Sequence, residues 1–177
     1  MSRINFDKWL QALGKLDYVQ GKSRLDVECI LCSIKENDEK VVSLKIYEDD
    51  ICFVVLNLYP FNPGHLMCVP NRHIAKYTEL TKKELLHLNR TIQGLQLLLN
   101  ELYNPKGYNI GINQGGSAGG SIDHLHIHLV PRFGEELGFI DIVGKTRVLP
   151  EGLDSVKKKL TQNITKFLNK EFFENFK

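Results

Sequence analysis

Hydrophobic and polar positions alternate most regularly over His124-Leu125-His126-Ile127-His128-Leu129-Val130, a run bounded by Pro131. In a β-strand, residues i, i+2 and i+4 share one face. The run therefore predicts a strand with three imidazoles on one side and Leu125 and Ile127 among the packing residues on the other. Like-facing side chains on a strand lie about 6.6–6.8 Å apart, so neighbouring rings can serve one site without binding the same atom. Residues 41–47 and 51–57 predict two more strands around the turn Glu48-Asp49-Asp50. Residues 65–70 and 108–113 add two others, the first following the Pro/Gly loop Leu58-Tyr59-Pro60-Phe61-Asn62-Pro63-Gly64.

Thr81-Lys82-Lys83-Glu84 has the form of a capping box and opens a predicted helix to about Tyr103. Leu85, Leu88, Ile92, Leu95 and Leu99 are its core stripe, and His87 is expected at its surface or boundary with no chemistry. Leu153, Val156, Leu160, Ile164, Phe167, Leu168 and Phe172 predict one C-terminal helix, with lysines on its solvated face. Strands, a long helix, strands and a helix in that order give an α+β fold: an antiparallel sheet with a long helix packed on one face and a C-terminal helix. The expected organisation is an N-terminal arm over 1–28 with a short helix around 6–13, a central domain over 29–152 and a helix over 153–177, forming a single compact unit.

A length of 177 residues suits one domain, and 42% hydrophobic with 25% charged residues is the composition of a soluble globular chain. A net charge of +2 is too small to imply nucleic acid or a membrane surface as partner. No run approaches the roughly 20 apolar residues of a membrane span, and Met1 to Trp9 carries no signal-peptide core. The expected location is the cytoplasm. Cys52 and Cys68 lie in apolar runs and read as buried thiols. Cys29-Ile30-Leu31-Cys32 is a Cys-x-x-Cys unit, which in such a chain favours metal or redox chemistry over a structural disulfide. No thioredoxin-like strand-to-helix pattern surrounds it, which favours metal.

Chemistry concentrates near residue 126. Three of the six histidines fall within five positions, just after Gly115-Gly116-Ser117-Ala118-Gly119-Gly120-Ser121. A Gly/Ser run lets backbone N–H groups approach an anion, so a phosphate cradle opening onto the histidine run is the joint expectation.

The run His124 to Val130 matches the signature His-φ-His-φ-His-φ-φ, and the chain resembles the histidine-triad (HIT) superfamily. The segment Asn57 to Met67 with Val69-Pro70-Asn71-Arg72-His73 is similar to that superfamily's first sheet segment, and Gly107 to Phe133 to its second. Tyr18-Val19-Gln20-Gly21-Lys22, Gly138-Phe139-Ile140 and Lys145-Thr146-Arg147-Val148-Leu149-Pro150 resemble one branch, the bacterial diadenosine tetraphosphate phosphorylase-like (ATP adenylyltransferase) proteins.

The resemblance implies a homodimer and an enzyme acting at the α-phosphate of a nucleotide or dinucleoside polyphosphate. His126 would be the nucleophile, passing through a nucleotidyl-histidine, with water or inorganic phosphate releasing it. A carbonyl of the glycine loop is expected to fix its tautomer. His128, Asn113, Ser121 and the N–H groups of Gly119 and Gly120 would supply donors to the phosphoryl oxygens. Asn57 corresponds to a ribose-binding Asp or Asn, and equally suits a turn at a strand end. Many triad hydrolases carry Gln where this chain has Gly120, and the smaller residue is read as room for an attacking phosphate. The zinc-bearing members' pattern falls on Cys29, Cys32, His73 and His124, a closed structural Zn2+ set that makes His124 part of both centres. A purine nucleoside phosphoramidase or general nucleotide hydrolase is the alternative activity. A nucleotide-binding regulator and a zinc-stapled interaction domain are the non-enzymatic alternatives. The intact His126 and its glycine loop weigh against the first, and the single Cys pair against the second.

Overall fold

The computed structural model describes residues 27–134 and 149–175. The expected helix at 6–13 and the branch-like segments at 18–22 and 138–148 lie outside the described residues. Among the described residues five strands form one sheet: β1 (Lys45–Glu48), β2 (Cys52–Leu56), β3 (Leu66–Pro70), β4 (Gly107–Gly111) and β5 (Ile127–Arg132). Their order is β1-β2-β3-β5-β4, and every neighbouring pair is antiparallel. The helices are α1 (Ile30–Lys35), α2 (Lys82–Tyr103), α3 (Leu153–Asn163) and α4 (Lys170–Glu174). The α+β architecture matches the expectation. None of these helices is long and apolar enough to cross a membrane.

The sheet centre is dry because β2 and β3 are apolar at both parities and wholly buried. Cys52, Val54 and Leu56 pair with Pro70, Cys68 and Leu66, so these residues share one face. The buried thiols Cys52 and Cys68 are therefore near neighbours on that face, which α2 covers at Thr91. The turn into β2 is closed by Asp49, whose Oδ1 accepts the N–H groups of Ile51 and Cys52 at 2.8 and 2.9 Å.

Helix α2 begins where the capping box places it. Thr81 Oγ1 accepts the Glu84 N–H at 3.2 Å, and Glu84 Oε2 accepts the Thr81 N–H at 2.8 Å. Arg72, just past β3, grips the same carboxylate through two N–H groups at 2.9 Å. The helix stops at Asn104, whose φ of 45° is left-handed and precedes Pro105. Leu88, Ile92, Leu95, Leu98 and Leu99 are buried, whereas Leu85 is intermediate. Each fully buried leucine contributes roughly 1.5–3 kcal/mol relative to exposure.

Two expectations need correction. The histidine run is not one strand, because β5 begins at Ile127 and continues through Pro131. Before it, Leu125 N–H goes to Ile74 O at 2.6 Å, which leads the chain out of the ladder. The C-terminal helix is also not continuous. It breaks after Asn163 into a 3-10 turn (Ile164–Lys166), and Asn169 then caps α4 by accepting the Phe172 N–H at 2.9 Å. This break lets Leu168 and Phe172 fold onto Gly94 of α2, where no side chain stands in the way. His87 lies at the helix boundary, half-buried, bonded to Asp49 Oδ2 at 2.7 Å and stacked on Phe173 at 4.4 Å.

Candidate functional site

β5 lies between β3 and β4, and its register pairs His128 with Met67 on one side and Gly111 on the other. Strand parity puts His128 on the face opposite Cys68 and Ile127, away from α2. The His126 and His128 rings lie 4.9 Å apart. His126 is 6% exposed, and its Nδ1 lies 2.7 Å from the His124 carbonyl oxygen. A carbonyl can only accept, so His126 carries its proton on Nδ1 and keeps a lone pair on Nε2. Burial holds the His126 pKa below its ordinary value, the carbonyl contact opposing that effect. The ring is therefore neutral near pH 7, the state in which an imidazole is a nucleophile. The tautomer is fixed by the chain two residues back, rather than by the glycine loop as expected from sequence.

A relay stands behind His128. The Phe61 N–H lies 3.2 Å from His65 Nδ1, and His65 Nε2 lies 3.0 Å from His128 Nδ1. The amide must donate, so neutral His65 bears its proton on Nε2 and gives it to His128 Nδ1. The His128 proton is thereby placed on Nε2, making that nitrogen a hydrogen-bond donor. His65 is fully buried and stacked on Phe61 with ring centroids 5.2 Å apart. Sequence reasoning missed it. Its one signal was parity with Met67, and parity becomes contact only once Met67 is known to face His128.

Asn57 fills the turn role that its position suggested: Oδ1 accepts the Tyr59 N–H at 2.8 Å. Its Nδ2 lies 3.5 Å from His65 Nε2 and 3.7 Å from Met67 Sδ, so the residue also borders the histidine relay.

The glycine loop folds on itself. Gly115 and Gly119 have φ values of 82° and 85°, which favour glycine. The Gly119 and Gly120 N–H groups, expected to face a phosphate, are bonded to Gly116 O and Gly115 O at 3.0 Å. A Cβ on Gly120 would lie 2.5 Å from Asn113 O and 3.0 Å from Gly115 O. Close backbone approach is thus by itself enough to require glycine at this position. Asn113 is exposed and Ser121 half-buried at the two ends of this loop. Gln114 Oε1 accepts the Tyr77 N–H at 2.8 Å, tying the loop to the segment after His73.

The third face of the site is Cys29, Cys32, His73 and His124, whose donor atoms all lie within 4.8 Å of one another. His124 Nδ1 is 3.5 Å from both sulfurs, and His73 Nδ1 is 3.3 Å from Cys32 Sγ. Zinc–sulfur bonds of about 2.3 Å and zinc–nitrogen bonds of about 2.0–2.1 Å at tetrahedral angles set ligand atoms about 3.4–3.8 Å apart. The donors fit such an ion. His124 Nε2 donates to Pro70 O at 2.9 Å, which turns the Nδ1 lone pair toward the cysteines. Burial, with the neighbouring histidines, pushes the His124 pKa down to about 4, so this ring too is neutral. Burial, with the neighbouring Cys29 sulfur, pushes the Cys32 thiol up to about 11.

Residues 37–135 match the HIT domain family model. Over 118 residues the chain is 41% identical to the AP-4-A phosphorylase of Mycobacterium tuberculosis, a stretch that is 66% of this chain and 60% of that protein. The chain thus spans about three fifths of that relative's length. It is 30% identical over 103 residues to the asymmetrical bis(5'-nucleosyl)-tetraphosphatase of Schizosaccharomyces pombe, covering 58% of this chain and 57% of that protein. Its fold is similar to that of a zinc-bound histidine triad family protein from Mycobacterium smegmatis, with a TM-score of 0.65 and 26% identity over 78% of this chain and 94% of that one. Fold, histidine geometry and sequence agree that the chain belongs to the HIT family.

Proposed function

We propose that the chain is a nucleotidyl transferase acting on dinucleoside polyphosphates such as diadenosine tetraphosphate, with His126 as nucleophile. The observation that carries this reading is the 2.7 Å contact that holds the His126 proton on Nδ1 and keeps Nε2 nucleophilic. In the first step Nε2 attacks the α-phosphorus; an N–P bond forms and the P–O bond to the departing polyphosphate breaks. The His128 Nε2–H, set by His65, donates to the phosphoryl or departing oxygen, where negative charge grows. In the second step an acceptor oxygen attacks phosphorus, the N–P bond breaks and the imidazole is restored. Ser121 and Asn113 flank the phosphate and Asn57 takes the ribose hydroxyls. Gly119 and Gly120 contribute the shape of the loop between them.

Similarity to the phosphorylase favours inorganic phosphate as the acceptor. Cys29, Cys32, His73 and His124 would hold Zn2+ as a structural ion with four protein donors, tying α1 to the residue ahead of the nucleophile. The exposed edge strand β4, with Ile110 50% exposed, suits pairing with a second copy in a homodimer. The cytoplasm is the compartment that suits a nucleotide substrate and reduced thiols.

The test is product analysis of diadenosine tetraphosphate turnover with and without inorganic phosphate, by anion-exchange chromatography. ADP and ATP are expected when phosphate is present, with no turnover in His126→Ala. AMP and ATP formed equally without phosphate would instead assign hydrolysis, the activity named for the fission-yeast relative.

A further inference from the structure

On the α2 side of the sheet, a second set of donors converges that the nucleotide chemistry does not use. Asp49 stands in the β1–β2 turn, Cys52 opens β2, and His87 sits one turn inside α2. One ligand atom from each lies within 4.8 Å of the others; in the empty site His87 Nε2–H donates to Asp49 Oδ2 at 2.7 Å, a bond that an incoming ion would replace.

Each donor is already oriented by an outer partner, the usual condition of metal ligands. Asp49 Oδ1 is held by two backbone N–H groups, and Oδ2 accepts the Tyr47 hydroxyl at 2.9 Å. Thr91 Oγ1 gives its proton to the His87 carbonyl at 3.0 Å, so at 3.5 Å it receives the Cys52 thiol proton. Stacking on Phe173 with an interplanar angle of 7° fixes the His87 ring. A cavity of about 390 Å³, lined by Lys83, Phe173, Asp49 and His87, gives an entry path. Cys52 lies behind them, fully buried.

We propose that Asp49, Cys52 and His87 form a second metal centre, with three protein donors and a fourth coordination position open to the cavity. A carboxylate oxygen, an imidazole nitrogen and a thiolate suit a borderline divalent ion of the zinc type, and neither calcium nor magnesium, which take oxygen ligands. Loading releases two protons, the Cys52 thiol proton and the His87 Nε2 proton that Asp49 Oδ2 accepts in the empty site. One carboxylate and one thiolate then balance a dication, leaving the loaded site neutral. Cys29, Cys32, His73 and His124 lack such an opening, since four protein donors close their tetrahedron.

The test is elemental analysis of the full chain after incubation with excess Zn2+ and gel filtration. In a Cys29→Ser/Cys32→Ser background one zinc per chain is expected to remain, and Cys52→Ala or His87→Gln removes it. In the unaltered chain each of these two variants lowers the count by one. Co2+ in the Cys29→Ser/Cys32→Ser background is expected to give a thiolate charge-transfer band that disappears in Cys52→Ala. His87→Gln alters a half-buried position, so it guards against a misfolded Cys52 variant. A zinc count indifferent to residues 52 and 87 overturns the proposal, as does the lack of any Co2+–thiolate band in that background.

Discussion

The His126 imidazole rests its Nδ1 on the main-chain carbonyl of His124 at 2.7 Å, while the His124 ring itself lies among Cys29, Cys32 and His73. One residue therefore serves two clusters, its side chain among the cysteines and its carbonyl under the His126 ring. Moving the cluster moves the acceptor that sets the His126 tautomer.

Removal of the proposed zinc, or the Cys29→Ser/Cys32→Ser pair, is accordingly expected to lower kcat for the proposed substrate, diadenosine tetraphosphate, by about 10–100-fold, the range typical of lost outer-shell support. Thermal unfolding should shift down in parallel, by about 2–4 °C for each kcal/mol lost in a domain of this size. Steady-state kinetics and calorimetry on the same samples check both. An unchanged kcat beside a lowered Tm would separate the cluster from catalysis.

His65→Phe keeps a flat ring against Phe61 and deletes the nitrogen that faces His128 at 3.0 Å. The His128 proton is then no longer directed to Nε2. A kcat loss of about 10²–10⁴-fold is expected if that proton acts in the transition state, with KM little altered. Equal losses in substrate binding, measured by calorimetry, would make His65 a packing residue.

Gly120→Ala puts a methyl group 2.5 Å from Asn113 O, and both nearest neighbours are backbone carbonyls that cannot rotate aside. The loop must open, breaking the Gly120 N–H bond to Gly115. The expected result is a fall of about tenfold or more in kcat/KM, consistent with the cost of misplacing a positioning loop. Gly116→Ala is the control, because its Cβ would meet nothing within 4 Å.

Arg72 holds the Glu84 carboxyl down at about 2, from 4.5, against the opposing effect of burial and with help from Thr81. A depressed acid stabilises the fold above its unfolded pKa, and that stabilisation is lost as pH falls through the folded pKa. Between pH 5 and 7 Glu84→Gln should lower Tm by about 2–4 °C. The gap between variant and parent should narrow from about pH 4.5 toward pH 2. Thermal melts across that range check it, and a gap independent of pH would mean the Gln loses packing and not charge.

Gly94→Ala sends a methyl group into the Leu168 side chain and to 3.0 Å from Phe167 O. Overpacking of this kind costs roughly 1–3 kcal/mol. The strain should fall on the C-terminal segment, which Arg90 otherwise anchors by donating to Phe172 O at 2.7 and 3.0 Å. Urea unfolding measures the loss, and adding Leu168→Ala should recover part of it by vacating the contact.

Local chemistry was legible in the residues. The capping box at Thr81 and Glu84, the turn at Asp49 and the wholly apolar strands β2 and β3 each depend on neighbours a few positions away, and each stands where the pattern put it. The identities of Cys29, Cys32, His73 and His124 were likewise present as types at suggestive spacing, and the fold brings them within one coordination sphere. Alternation misled at His124 and His126, because a strand exists only where a partner strand supplies hydrogen bonds, and pairing begins at Ile127. The break in the C-terminal helix depends on a glycine some seventy residues earlier, and the His65 relay on a register between β3 and β5. The N–H groups of Gly119 and Gly120 were free to bind an anion in the sequence and are spent inside the loop in the structure. The sequence by itself determined where the local caps, turns and apolar runs fall and which chemical groups are on hand. The tertiary structure decided which nitrogen carries each proton and which donors converge, because contacts between distant segments follow from packing of the whole sheet and not from any local window.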